Sequence, residues 1–406
     1  MKLTIVIYIS LCLLLISSNS PVIGIGAKQQ ATRKQRWQEK GVNFTPVPTP
    51  YSLLPTPQQK LANGQILQIN GNVQIQRSER IIHPQTGTLI YPEDKLLTAN
   101  GAQVLVQCAD LSTHSISPGK NQTNSCPSAT EQTECSPGTY KCPHRGNDIA
   151  WREGIPYIIS PRRTAILTDK PILHWQPVPG AKLYTVSLKG EGVNWTTQVS
   201  DTRIVYPGEP PLQGGVHYTL IVEADTGVSS LDEPVRPGGL NFSVLDQPQA
   251  QRLCDQAAQI AQQPWNELAK TLALINLYGA NDLHAEAIAT LETLVATGTN
   301  LAPIYHQLGD RYFYYLGLIP PAKDYYLKAI ALADPDDLED QTQLQDSLGQ
   351  VQVALGNKDE AVRWLTLALK GYQTLGDAQR ARELENQLNQ FSQNREQRTG
   401  NREGNN

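Results

Sequence analysis

The side chains best placed to do chemistry are sulfurs. Cys108, Cys126, Cys135 and Cys142 crowd one stretch rich in Ser, Thr, Gly, Pro and Asn, with no CxxC pair among them. That spacing speaks against a zinc site. In an oxidising compartment two disulfides are the simpler account, and four cysteines allow three pairings among which sequence does not choose. Each bridge would stabilise the fold by about 2–4 kcal/mol, chiefly by restricting the unfolded chain. Cys254 is left over in a helical pattern and reads as a buried thiol. His144 follows Cys142-Pro143, but a Cys–His nucleophile needs a reduced thiol beside its base. Asp337, Glu339 and Asp340 form an acidic loop without the ordered ligand spacing of a calcium site. Walker, nucleophile-elbow, His-Glu-x-x-His and Rossmann patterns are all missing from the sequence. The expectation is a non-enzymatic protein with no catalytic, cofactor-binding or metal residues.

Composition narrows the class further. The 406 residues allow two to four domains at roughly 100–200 residues each. Lys plus Arg is 34 against 38 Asp plus Glu, a net charge of -4, so the positive field behind nucleic-acid binding is lacking. Lys2 precedes an apolar run, Leu3 to Ile16, with small and polar residues after it. This is the order of a secretory signal peptide, and the run is shorter than the ~20 residues that span a bilayer. Residues 1–27 are therefore expected to direct export, to the periplasm or beyond, either cleaved or kept as an N-terminal anchor. No transmembrane span is expected after cleavage. Residues 28–60, with Pro46-Val47-Pro48-Thr49-Pro50 and Leu54-Pro55-Thr56-Pro57, read as a semi-rigid linker.

The elements that follow change period twice. From Ile66 apolar and polar residues alternate, with Asn70-Gly71-Asn72 between two short runs, a hairpin signal. Gly71, Val73, Arg77, Gly87, Asp94, Thr98 and Asp110 fall in an order that resembles the FecR-type β domain of exported bacterial proteins. The resemblance implies a β domain outside the cytoplasmic membrane that makes protein contacts, here over residues 61–165 with the cysteine loop inserted. Residues 166–247 hold Trp175, Gly180-Ala181, and alternating strands at Tyr184 to Leu188 and Tyr218 to Val222. This resembles a fibronectin type III-like sandwich, in which Trp175 and Tyr184 fill the core between two sheets.

After Asp246 the period becomes helical. Leu348-Gly349, Gly356, Ala361, Leu365 and Ala368 form one unit; Tyr305, Leu308-Gly309, Tyr312, Ala322, Tyr326 and Ala329 form another. Leu274, Tyr278, Ala287, Leu291 and Leu294 form an earlier one, and Ala287, Ala322 and Ala361 recur at intervals near the ~34 residues of a tetratricopeptide repeat, which these units resemble. Small residues let the two helices of a hairpin close up, and large ones fill the gap to the next hairpin. In the second unit the turn carries an extra residue before Pro320-Pro321, so the register slips by one. The fold class expected is multidomain: all-β domains followed by an all-α solenoid over residues 248–391, capped by a helix over 376–391, with a disordered tail at 392–406. The resemblance implies a concave groove for a protein or peptide partner in the cell envelope. Groove candidates are His306, Asp310, Arg311, Tyr314, Gln350 and Gln352. The alternative is envelope sensing or attachment to wall glycans through the FecR-like domain.

Overall fold

A computed structural model describes residues 62–127, 152–233 and 240–403. The signal segment, the Pro-rich linker, Cys135, Cys142 and His144 lie outside the described residues.

The first β unit is built from β1 (Gly64–Asn70), β2 (Val73–Arg77), β3 (Arg80–Ile82), β4 (Leu89–Ile90), β5 (Lys95–Thr98), β6 (Gln103–Cys108), β7 (Thr113–Ile116) and β8 (Asn121–Thr123). They form two four-stranded sheets, β4-β1-β6-β7 and β3-β2-β5-β8. Inward residues of both, among them Ile66, Ile75, Ile90, Leu96 and Val104, make one core. The hairpin expected at Asn70-Gly71-Asn72 is not one. Gly71, at φ +78°, instead hands the chain from β1 in one sheet to β2 in the other. Its Cβ would lie 3.0 Å from the Ala102 backbone, so the crossing needs glycine for both its conformation and its space.

Cys108 and Cys126 are disulfide-bonded with Cα atoms 5.3 Å apart, tying the end of β6 to the chain beyond β8. The two sulfurs and a ring nitrogen of His114 lie within 4.8 Å of one another. With the sulfurs bonded to each other, the thiolates that a metal would need are consumed. At a separation of 18 residues the bridge should contribute about 3 kcal/mol. The paired Cys108→Ser/Cys126→Ser change is expected to lower the urea midpoint of unfolding, and dithiothreitol should lower the wild-type midpoint by more than that of the variant, which keeps the bond at Cys254.

The second β unit is a sandwich of β9 (Ile158–Ser160), β11 (Ile172–Trp175) and β14 (Arg203–Val205) against β10 (Thr164–Ile166), β12 (Tyr184–Gly190), β13 (Val193–Val199), β15 (His217–Ala224) and β16 (Asn241–Val244). It begins earlier than the expected boundary at residue 166, because β9 pairs with β11 and β10 runs parallel to β16. Trp175 and Tyr184 are fully buried and meet edge to face at 5.5 Å between ring centres. Tyr206, Tyr218 and Phe242 complete that core.

Eight α-helices follow among the described residues: α1 (Gln247–Gln262), α2 (Glu267–Ala280), α3 (His284–Ala296), α4 (Ala302–Asp310), α5 (Ile319–Leu332), α6 (Leu338–Ala354), α7 (Lys358–Leu375) and α8 (Ala378–Glu403). The pairs α2/α3, α4/α5 and α6/α7 are hairpins stacked as a tetratricopeptide-like solenoid. Ala287, Ala322 and Ala361 are fully buried at equivalent places. A Cβ on Gly309 would sit 2.6 Å from the Tyr326 ring, and one on Gly349 would collide with Leu365, so close approach dictates glycine in both units. The register slip has a structural form: α4 runs into a π-helical turn, Arg311–Leu316, ended by left-handed Gly317. A single-turn π-bulge is how a helix absorbs one extra residue. Asp346 accepts two bonds from Arg380, at 2.7 and 2.8 Å, joining α8 to α6.

Two expectations fail in this part. Cys254, in α1, is disulfide-bonded rather than a thiol; what limits a partner is Cα separation in the fold, not spacing along the chain. The tail expected to be disordered from Ser392 continues as helix to Glu403, through a run of Arg, Glu and Gln that are good helix formers.

Candidate interaction surface of the solenoid

The six groove candidates occupy packed positions. On α4, His306 is 3% exposed, with its ring edge-on to Tyr326 at 5.8 Å and a ring nitrogen 3.8 Å from Asp310. Asp310 accepts a 2.7 Å hydrogen bond from the Tyr326 hydroxyl. Burial depresses His306 to about 3 and pushes the Asp310 carboxyl up to about 8, so both are largely neutral near pH 7. Arg311 is 4% exposed; its Nη1 makes no hydrogen bond, and its guanidinium lies 5.9 Å from the Tyr315 ring centre. Tyr314 is half-buried against Phe313. Gln350 exchanges amide bonds with Gln387 of α8 at 3.1 and 3.0 Å, and Gln352 accepts 2.9 Å bonds from Asn357 through both its side chain and its carbonyl, closing the α6–α7 turn. The structure therefore brings His306 and Asp310 together, places Arg311 one residue further on the same turn of chain, and leaves Gln350 and Gln352 to separate jobs in the third hairpin.

What meets the first helices of the hairpins is the first β unit. On α2, Asn276 donates through its amide to Gln65 (2.8 Å) and Gln107 (3.0 Å), side chains of β1 and β6. The backbone N–H of Asn266, at the start of α2, donates to Gln68 at 3.0 Å. On α4, Pro303 lies so near Gly87 that a Cβ there would be 3.0 Å away. On α6, Glu339 pairs with Arg77 and, at 3.5 Å, with Arg80, while Gln343 reaches the Tyr91 hydroxyl at 3.5 Å. Leu67 and Leu105 enter the same hydrophobic core as the helices. A tetratricopeptide stack presents its first helices on the side where it holds ligands. Here that side holds part of the same chain.

The second β unit is anchored by a buried ion pair. Arg162 donates to both oxygens of Glu233 at 2.9 and 2.7 Å, and its Nε donates to the Leu316 carbonyl at the end of the π turn at 2.7 Å. Thr164 of β10 accepts from the Ala285 N–H and donates to the Asp282 carbonyl at the α2–α3 turn. None of these contacts has a local sequence signal. Arg77 and Asp94 are motif residues that pair with each other 17 positions apart, while the Arg77 partner on the solenoid, Glu339, lies 262 positions away.

Three half-buried acids give this region a pH signature. Burial raises Asp310 to about 8 and Glu286 and Asp340 to about 7. The folded chain thus holds protons that the unfolded chain has released, and the associated stability is complete below pH ~4 and lost as pH rises through about 7–8. The buried His284 and His306, depressed to about 3, act only below their ordinary range. Asp310→Asn is expected to flatten the fall in urea midpoint between about pH 6.5 and 8; slopes equal to wild type would show that Asp310 is ionised in the fold.

No family model matches the chain, and no curated protein matches it. Among solved structures it is similar to two crystal structures of MamA. One is 20% identical, with 35% of this chain and 87% of that one covered and a TM-score of 0.23. The other is 21% identical, with 36% and 75% covered and the same TM-score of 0.23.

Proposed function

We propose that this chain is an exported, non-enzymatic scaffold that binds a protein or peptide partner through its tetratricopeptide-like solenoid, with the β units setting the shape of that surface. One observation carries the reading. The first helices of all three hairpins already meet a protein surface, two of them through contacts specific to side chains: the Asn276 amide between two glutamines, and Glu339 between two arginines. The solenoid is thus built to read side chains on that side, and the stretch from the C-terminal half of α6 to α8 is left for a partner. Disulfides at Cys108–Cys126 and at Cys254 support an oxidising compartment, periplasmic or extracellular.

A photo-crosslinking residue placed in the full chain at Glu385, exposed on α8, or at Gln103, exposed on β6, tests this. In envelope extracts the probe at Glu385 is expected to capture a protein. Capture from Gln103 alone would overturn the scaffold reading in favour of attachment or sensing through the first, FecR-like β unit.

A further inference from the structure

The second β unit and the start of the solenoid enclose a polar cleft of about 770 Å³, within the ~300–1,000 Å³ typical of small-molecule sites. Its floor is the β10–β16 edge, one wall is α1, and the other is the α2–α3 turn. The sequence of α1 prepares its wall: Gln249, Arg252 and Gln256 follow at helical spacing, all three exposed, on one face. Across from them stand Arg163 and Asn281.

Two further observations mark this cleft as more than a gap between domains. Four non-glycine residues have positive φ among the described residues, and two of them line it: Arg163 at 47° and Asp282 at 58°. A backbone in that region carries a cost in energy and collects at functional sites. Arg163 and Arg252 against Asp282 leave the lining net positive. Both Arg163 and Arg311 press on the buried His284, and Arg311, 4% exposed with its Nη1 unbonded, has no ion pair among the described residues. Its sequence neighbour Asp310, raised to about 8, offers little countercharge. A lining of two guanidinium groups against one carboxylate, with buried Arg311 acting on the same His284 as Arg163, favours an anion.

We propose that this cleft binds an acidic oligosaccharide, its anionic group held between Arg163 and Arg252 and its hydroxyls by the amides of Gln249, Gln256 and Asn281. Side-chain amides offer donor and acceptor together, which suits neighbouring sugar hydroxyls. A peptide would want an apolar anchor pocket, and the phenyl ring among the lining residues, Phe242, is 2% exposed. Of the rings that line the cleft Phe242 is buried and His217 is open, so a nucleotide base would find a single imidazole to stack on. Carboxylated and sulfated sugars share the required chemistry.

The test is calorimetric titration of the full chain at low salt with trigalacturonic acid, a sulfated trisaccharide, maltotriose and trialanine. At least one acidic sugar is expected to bind about tenfold or more tightly than maltotriose, the effect of charge-assisted hydrogen bonds, and the tighter of the two assigns the anion. Arg252→Gln and Arg163→Asn, the latter keeping a residue that tolerates positive φ, should each weaken binding by about tenfold with an unchanged unfolding midpoint. Equal binding of maltotriose, undiminished binding in both variants, no binding of either acid at millimolar concentration, or preference for a tripeptide carboxylate would overturn the assignment. The scaffold reading is tested by capture at Glu385 on α8 and is untouched by any of these outcomes.

Discussion

Arg162→Met is expected to destabilise the chain by about 3–5 kcal/mol, the range for breaking one side of a buried ion pair. Arg162 is 6% exposed and Glu233 5%, so neither charge has water to fall back on. The arginine satisfies three acceptors at once: both Glu233 oxygens and the Leu316 carbonyl. Methionine preserves much of the volume but leaves a bare carboxylate in the interior and an unpaired carbonyl at the end of the π turn. The double change Arg162→Met/Glu233→Leu removes both charges and should recover most of the loss, because replacing a whole buried pair by apolar groups is near neutral. Urea unfolding of the three proteins provides the measurement. A loss in the single variant under about 1 kcal/mol would mean that the pair is solvated, with its value falling to that of a surface bridge. The same carbonyl links this pair to the solenoid, so the loss should be felt at the junction. Hydrogen exchange at Arg311–Leu316 is expected to quicken more than at α7.

The repeats were legible because their cause is local. Gly309 and Gly349 face Tyr326 and Leu365, residues only one helix away in sequence, at distances that admit no Cβ. Even the extra residue before Pro320 showed itself as a slip in spacing, though spacing alone does not say that the chain absorbs it as a π turn rather than as a longer loop. The groove candidates were misplaced in a different way. Helical period puts His306, Asp310 and Arg311 off the packing face, but α4 packs on more than one side: Tyr326 of α5 lies against His306 and Asp310, and Arg162 of the second β unit reaches the chain just beyond. A helix buried on several faces has no polar stripe to read. The hairpin at Asn70-Gly71-Asn72 failed because alternation marks strands without naming their partners. Likewise, Arg77, Gly87 and Asp94 could be seen as a motif, while the reason two of them touch the solenoid could not.

That last pair of contacts yields the second large effect. Arg77→Ala is expected to cost about 3–5 kcal/mol and, unlike Arg162→Met, to loosen the first β unit from the helices. Arg77 donates to both oxygens of Asp94 at 2.8 and 2.6 Å, to the Leu89 carbonyl at 3.1 Å and to Glu339, and its guanidinium lies 4.3 Å from the Tyr91 ring centre. Asp94 is 1% exposed, so its unpaired charge supplies most of the penalty. Glu339→Gln separates the two roles. It spares the Arg77–Asp94 pair inside the β unit and removes only the charge that spans to α6, so the β unit should keep its own stability while its hold on the solenoid weakens. Hydrogen exchange at α6 and in the α2 turns around Asn276 would then rise in both variants, whereas exchange within β2 and β5 would rise in Arg77→Ala alone. If Glu339→Gln left α6 exchange unchanged, the polar contacts would be incidental and the shared core through Leu67 and Leu105 would be what joins the units. If it quickened as expected, the side of the solenoid now holding the β unit could be bared by weakening one ion pair. A scaffold of this design would expose more binding surface without unfolding, and the partner captured from α8 should then bind the Glu339→Gln chain at least as tightly as the wild type.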